Sequence, residues 1–280
     1  MTTTDLRCYY GHHKCASSWF RRIFEDAARW TGRRSDGFDN PIQFAHNLSE
    51  HIRSHQLEMV SFTNADWTHI RPLGEHRAVH LIRDPRDVLV SAYFSHRYSH
   101  STEGWPELIP HRQRLEGLNE ADGLLAELEF SECYLRQMHE WNYGAPGVME
   151  LKFEQLTRTP YESCLEAFEH LGLLRDEDCT PLRRVRDVCR TFNLSLRRRI
   201  GSAWPLPIRC DQLPSYQLLL LVHQQRYRKL SGGRKQGQPN AKSHYRSGKA
   251  GDWKHHFTPA VQSAFDARYP GIVQRLGYTD

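Results

Sequence analysis

Short, mainly apolar runs alternate along this chain with longer amphipathic ones. Leu6 to Tyr10, Leu57 to Phe62, Arg77 to Ile82 and Val148 to Phe153 have the length and content of buried strands. Between them the apolar residues take helical spacing. Ile42, Ala45, Leu48 and Ile52 predict a helix over Ile42 to His55. Similar patterns predict helices at Phe20 to Trp30, Arg86 to Tyr98, Ala121 to Trp141 and Pro160 to Leu171, and at Pro181 to Ile200, Tyr216 to Leu230 and Pro259 to Arg268. Thr31 to Pro41 reads as a turn-rich connection. Ser99 to Leu118, with Pro106 and Pro110, reads as irregular, and Gly201 to Pro214 as a loop. Ser231 to Gly251, rich in Gly, Lys, Ser and Gln, reads as mobile. There is no internal repeat and no composition shift that marks a boundary. Strands alternating with helices predict a single α/β domain, residues 1–280, with a central parallel sheet flanked by helices.

Two strand-to-helix corners carry polar groups at the end of a strand, where open parallel sheets bind ligands. The first is Tyr9-Tyr10-Gly11-His12-His13-Lys14-Cys15-Ala16-Ser17-Ser18-Trp19. A turn of small residues before a helix aims backbone N–H groups at an anion. Lys14 adds a cation, and Ser17 and Ser18 add hydroxyls. The triphosphatase pattern Gly-x-x-x-x-Gly-Lys-[Ser/Thr] is absent, since the lysine precedes the small residues. The second corner is Arg83-Asp84-Pro85-Arg86-Asp87, with Asp84 as a cap and Pro85 at the first helical position. Arg86 and Asp87 read as a surface pair at that helix start.

Composition narrows the ligand and the setting. The chain is 39% hydrophobic and 25% charged, which makes it globular. Net charge is +5 with seventeen His neutral, a mild excess that suits a small anionic ligand. No recognition-helix or aromatic-basic pattern points to nucleic acid, and Arg183-Arg184 and Arg197-Arg198-Arg199 read as a solvated helix face. No stretch is apolar enough to span a bilayer, and no secretory leader pattern is present. The seven Cys are scattered without a Cys-x-x-Cys pair, which argues against a disulfide framework or structural zinc. A reducing cytoplasm is the expected compartment, with no membrane and no metal.

Near the carboxyl end stands Tyr245-Arg246-Ser247-Gly248-Lys249-Ala250-Gly251-Asp252-Trp253-Lys254-His255-His256-Phe257-Thr258. With the opening loop and Ile82 to Ser91, this set resembles the cytosolic-type sulfotransferase family, whose donor is 3′-phosphoadenosine 5′-phosphosulfate (PAPS). The Gly-Asp-Trp-Lys-x-x-Phe signal is the most specific part. Leu151 to Leu156 looks like the family's third-strand motif, with Phe153 where Tyr is frequent. The resemblance runs from the first strand to the last helix and implies a P-loop nucleotide-hydrolase-like fold.

By that resemblance Lys14 contacts the transferring sulfuryl group. The loop His13, Lys14, Cys15, Ala16, Ser17 and Ser18 holds the 5′-phosphate, and Trp19 either stacks on adenine or is a core tryptophan. Arg83 and Ser91 match the 3′-phosphate pair. Arg246, Ser247 and Gly248 close over that phosphate from a mobile segment, residues 231–258, with Ser247 where the family commonly has Lys. Asp252 and Trp253 fix that segment. The implied reaction transfers the sulfuryl group to a hydroxyl or amine of a small molecule, such as a natural product, and releases 3′,5′-ADP. The family's base, a His past the second strand, has no counterpart in Phe62-Thr63-Asn64-Ala65-Asp66-Trp67-Thr68-His69. Asp66 is the first candidate and His69 the second; Asp66 is equally a cap. His12, His13, His96 and His100 are further pocket candidates. The loops Trp105 to Arg114 and Trp204 to Tyr216 are expected to shape the acceptor pocket. A P-loop-type kinase and a non-catalytic nucleotide-binding relative are the rivals, and a homodimer is left open.

Overall fold

The computed structural model describes residues 6–175, 180–200, 210–243 and 245–279; the side chains of 195 and 197–200 lie outside that description. In chain order the first half comprises β1 (Arg7–Gly11), α1 (Ser17–Thr31), β2 (Ser35–Phe38), α2 (Leu48–His55), β3 (Met59–Phe62), α3 (Trp67–Ile70), β4 (Arg77–Ile82), α4 (Pro85–Tyr98), α5 (Leu108–Glu116), α6 (Glu120–Phe130) and α7 (Glu132–Glu140). There follow β5 (Val148–Lys152), α8 (Phe153–Arg158), α9 (Pro160–His170), β6 (Leu174–Arg175), α10 (Pro181–Ile200), β7 (Leu213–Pro214), α11 (Ser215–Gln224), α12 (Tyr227–Leu230), α13 (Pro259–Arg268) and α14 (Ile272–Arg275). The main sheet has the order β2-β3-β1-β4-β5, and every pairing in it is parallel. This is a single-domain α/β architecture. The chain places β2 and β3 on one side of β1 and β4 and β5 on the other. Connections therefore diverge at the carboxyl end of β1, where parallel sheets leave a crevice.

Both faces of the sheet are covered at its centre, so the inner strands β1, β3 and β4 are buried nearly throughout. One core layer joins Tyr9, Val79 and Leu151 to Phe20 and Phe24 of α1, Phe168 of α9 and Leu218 of α11. A second packs Val88, Leu89 and Tyr93 of α4 against Leu124 of α6, Leu135 of α7 and Phe265 of α13. A third sets Tyr10, Val60 and Phe62 against Phe44, Leu48 and Trp141.

The differences from the sequence pattern are local. Ser35–Phe38 is an edge strand, largely exposed and polar, within the predicted connection. The helix predicted from Ile42 is interrupted, with Ala45 and His46 in the left-handed region at φ 48° and 58°. Leu108, His111 and Leu115 are buried on one side of α5, inside a stretch that reads as irregular. Pro110 falls in its first turn, where a missing N–H costs little. The long helix predicted over Ala121 to Trp141 is divided at Ser131, whose hydroxyl donates to Glu127. Arg183 and Arg184 are exposed, as expected, whereas the side chains of Arg197, Arg198 and Arg199 lie outside the described set. Most of the predicted loop 201–214, including Trp204, lies there as well.

Candidate active site

The loop after β1 has the geometry of an anion cradle. Lys14 and Ala16 sit at φ 61° and 60°. Left-handed conformations at non-glycine residues cost about 1–3 kcal/mol each and persist where the surroundings enforce them. They also turn successive amides toward one concave point. Ala16 begins α1 with a side chain that cannot cap it, and no acidic residue occupies the first turn. The positive end of a fifteen-residue helix is thus left for something else. The turn is tight at Gly11, where a Cβ would lie 2.6 Å from Ser17 Oγ. Ser17 Oγ itself donates to the His12 carbonyl at 2.6 Å, closing the turn.

A cleft of about 1380 Å³ opens over this loop. His13, Lys14, Ala16, Ser17, Ser18, Trp19, Arg83, Ser91, Arg246, Ser247 and Gly248 all line it. Cys15 does not. Its side chain is fully buried among Ile82, Val88 and Leu89, so its backbone alone faces the loop's interior. Trp19 packs against the first core layer, lines the cleft, and donates Nε1–H to the Gln225 carbonyl at 2.6 Å. Among the described lining residues nine are Lys or Arg and three are Asp or Glu, a balance that suits an anion.

Three cations meet at its floor. Arg83, at the end of β4, donates to the Lys14 carbonyl at 3.0 Å and lies 4.2 Å above the Phe153 ring. Arg246 lies 4.7 Å above the Phe94 ring of α4 and pairs with Asp252 at 2.5 Å. Lys14 Nζ donates to Ser95 Oγ at 2.9 Å. Burial, helped by Arg83 and Arg246 and opposed by Glu127, pushes the Lys14 ammonium down to about 8. Ser95 lies in the stretch Tyr93 to His100, which extends the helix of Ser91 and reads in the sequence as an acceptor-side wall; its contact with Lys14 is what the sequence does not show. The available signal is its position one helical turn beyond Ser91, which places both hydroxyls on one side of α4.

Asp87 joins the second corner to the carboxyl-end segment. Its carboxylate accepts from the Gly251 N–H at 2.7 Å and the Trp253 N–H at 2.9 Å. Arg86 pairs with Asp84 at 2.8 Å, donates to the Thr279 carbonyl, and lies 3.6 Å over the Trp253 ring. Both residues are fully buried. The reading of Arg86 and Asp87 as a surface pair is therefore corrected: a pair of charges at a helix start does not reveal that a distant segment packs on it. Asp87→Ala should lower stability by about 3 kcal/mol, the worth of two hydrogen bonds to a charged acceptor. A urea midpoint unchanged from wild type would count against this role. The Arg234 guanidinium donates to the carbonyls of Gln238, Tyr245 and Arg246. Gly248 has φ 65°, and a Cβ there would come within 2.7 Å of the Tyr227 ring.

The base candidates fall differently from the expectation. Asp66 Oδ1 accepts from the Thr68 N–H at 2.8 Å and the Thr68 hydroxyl at 2.7 Å, capping α3. His69 packs edge-on against Phe44 at 5.4 Å. Neither lines the cleft. The cleft is lined instead by His12, Thr63 and Asn64 and by the ring group His13, His100, Trp105 and Tyr134. His96 stands one layer behind, fully buried; its Nδ1 is 2.8 Å from Glu127 and its Nε2 3.0 Å from His13 Nε2. The nitrogens of His13, His96 and His100 lie within 4.8 Å of one another, as do the ligand atoms of His96, His111 and Glu127. Either group has the donor types to hold a metal ion.

No protein-family model matches the chain, and no curated protein matches it. Among solved structures, the mouse sulfotransferase SULT7A1 complexed with PAP superposes with a TM-score of 0.51. The chain has the sulfotransferase fold. The match covers 98% of this chain and 85% of the mouse protein at 13% identity, so the likeness is one of architecture. Among the described residues no helix is long and apolar enough to cross a membrane.

Proposed function

We propose that the protein is a PAPS-dependent sulfotransferase that modifies a hydroxyl or amine of a small molecule and releases 3′,5′-ADP. The observation that carries this reading is the convergence of Lys14, Arg83 and Arg246 on one cleft, where burial first, and then the charges of Arg83 and Arg246, depress the lysine. Such a group is relieved by a polyanion. A nucleotide phosphorylated at both the 3′ and 5′ positions supplies charge at two ends of one ribose. The loop from His13 to Ser18 suits the 5′ end, and Arg83, Ser91, Arg246, Ser247 and Gly248 suit the 3′ end. The mouse protein of like fold is complexed with PAP, which is the product this reading requires.

PAPS supplies an activated sulfuryl group, transferred by in-line displacement with charge building on the leaving oxygen. Lys14 is placed to hold a proton, and so a positive charge, beside that oxygen. The strained loop keeps its amides fixed, so little reorganisation accompanies the reaction. The cleft exceeds the roughly 300–1,000 Å³ usual for one small ligand, which leaves room for an acceptor beside the nucleotide. Ile42, Trp105, Pro106 and Tyr134 on its walls favour a flat, apolar acceptor. Calorimetric titration with 3′,5′-ADP should show micromolar or tighter binding without magnesium, with ADP far weaker. Equal affinity for the two nucleotides would remove the 3′-phosphate site, and the proposal with it.

A further inference from the structure

Behind the cleft, three side chains form a line across the sheet. The register pairs Tyr10 with His80 and His80 with Glu150, and His12 lies two residues beyond Tyr10. All therefore project to one face. His12 Nε2 is 2.8 Å from His80 Nε2, and His80 Nδ1 is 2.5 Å from Glu150 Oε2. Trp141 stacks on His80 at 3.8 Å and meets His12 edge-on at 5.5 Å, excluding water from the middle of the line. Both imidazoles are fully buried, whereas the Glu150 side chain is 26% exposed. His12 lines the cleft, and its Nδ1 is buried with no hydrogen-bond partner. An unsatisfied buried polar atom is costly, and a polar group on a bound ligand would recover that cost.

We propose that His12, His80 and Glu150 form a proton conduit, taking the proton of the acceptor's hydroxyl or amine at His12 Nδ1 and delivering it to Glu150 at the far margin of the sheet. The acceptor's part in this rests on the transfer reading above; the conduit itself does not. Each step moves one proton. With Glu150 ionised, His80 Nδ1–H donates to it, His12 Nε2–H donates to His80 Nε2, and His12 Nδ1 holds a lone pair. The acceptor's proton goes to His12 Nδ1, the His12 Nε2 proton to His80 Nε2, and the His80 Nδ1 proton to the carboxylate. Both rings end neutral in the opposite tautomer and Glu150 ends as the acid; its Oε1 is itself buried, so the carboxyl group must turn toward the exposed side of its side chain before water removes the proton.

The electrostatics run in the required direction. Burial holds His12 and His80 well below the ordinary imidazole range, so neither ring retains the charge. Burial raises Glu150 to about 8, making it the better resting place. The other groups facing the line are Asp66, which favours a proton on His12, and Tyr143, 5.8 Å from His80. The parallel arrangement Glu127–His96–His13 lacks an exit. Glu127 is completely buried, and although burial raises it, His96, His111 and Ser131 hold it below the usual carboxylate range.

The test is ¹⁵N NMR of the full chain labelled at histidine, followed from about pH 6 to 9. His12 and His80 should stay neutral and exchange tautomers together as Glu150 titrates near 8. Glu150→Gln should abolish that exchange in a folded protein. Tautomers that stay fixed, or rings that become cationic independently of Glu150, would overturn the conduit. In a second measurement, Glu150→Gln and His12→Gln should slow PAPS turnover by about 10²-fold, the lower range for lost acid–base assistance, with 3′,5′-ADP affinity changed less than twofold. Undiminished turnover in both variants would remove the conduit from the reaction. Failure of the wild-type protein to bind 3′,5′-ADP would instead remove the transfer reading and leave the tautomer exchange to decide the conduit.

Discussion

Lys14→Ala should lower sulfuryl transfer by about 10²–10³-fold, the loss typical of one preorganised group that stabilises developing charge. Affinity for 3′,5′-ADP should stay within a few-fold. The loop amides, Arg83 and Arg246 remain to hold the nucleotide, while the sulfuryl end loses its cation. The same lysine sets a pH limit. In the free protein it gives up its proton near 8, so its charge is present below that pH and lost above it. Taken alone, this predicts a fall in kcat/KM toward PAPS as pH rises through about 8, set against the rise that ionisation of Glu150 brings near the same pH. Lys14→Arg keeps the charge throughout and should erase that fall, whatever it costs in rate. Turnover equal to wild type in the alanine variant would mean that the assigned chemistry is wrong.

Arg83→Ala should instead strike binding. Truncating one partner of a buried, hydrogen-bonded charge pair costs about 2–5 kcal/mol, or roughly 30-fold to several thousandfold in the dissociation constant for 3′,5′-ADP. Arg83 is buried, stacked on Phe153, and bonded to the Lys14 carbonyl, so alanine also loosens the loop. Arg83→Lys separates the two effects. It retains the charge but not the planar fork, and it should recover part of the affinity. An alanine variant that binds 3′,5′-ADP as tightly as wild type, with an unchanged melting temperature, would show that the 3′-phosphate lies elsewhere.

What the sequence made legible was local. The strand, turn and helix around Lys14 are contiguous, and so are those around Arg83; polarity breaking at the end of an apolar run suffices to mark both. The α/β class followed from the same alternation. What stayed hidden depends on partners distant in sequence. β2 is polar because one of its edges and much of its surface meet solvent, so it has no apolar signature. Asp87 looked like surface because the amides it accepts from lie more than 160 residues away. Asp66 offered the right functional group for a base, but its carboxylate is committed to Thr68. His12, His80 and Glu150 become a line only when the registers of three strands are known, which no periodicity in one strand encodes.

The bond from Asp87 to residues 251 and 253 bears on how the chain reaches its working form during synthesis. The two strand-to-helix corners lie early in the chain, whereas Arg246 cannot be held over them until residues 251 and 253 have docked on Asp87. On the reading proposed above, a bound nucleotide rewards that docking, as a latch rather than a nucleus.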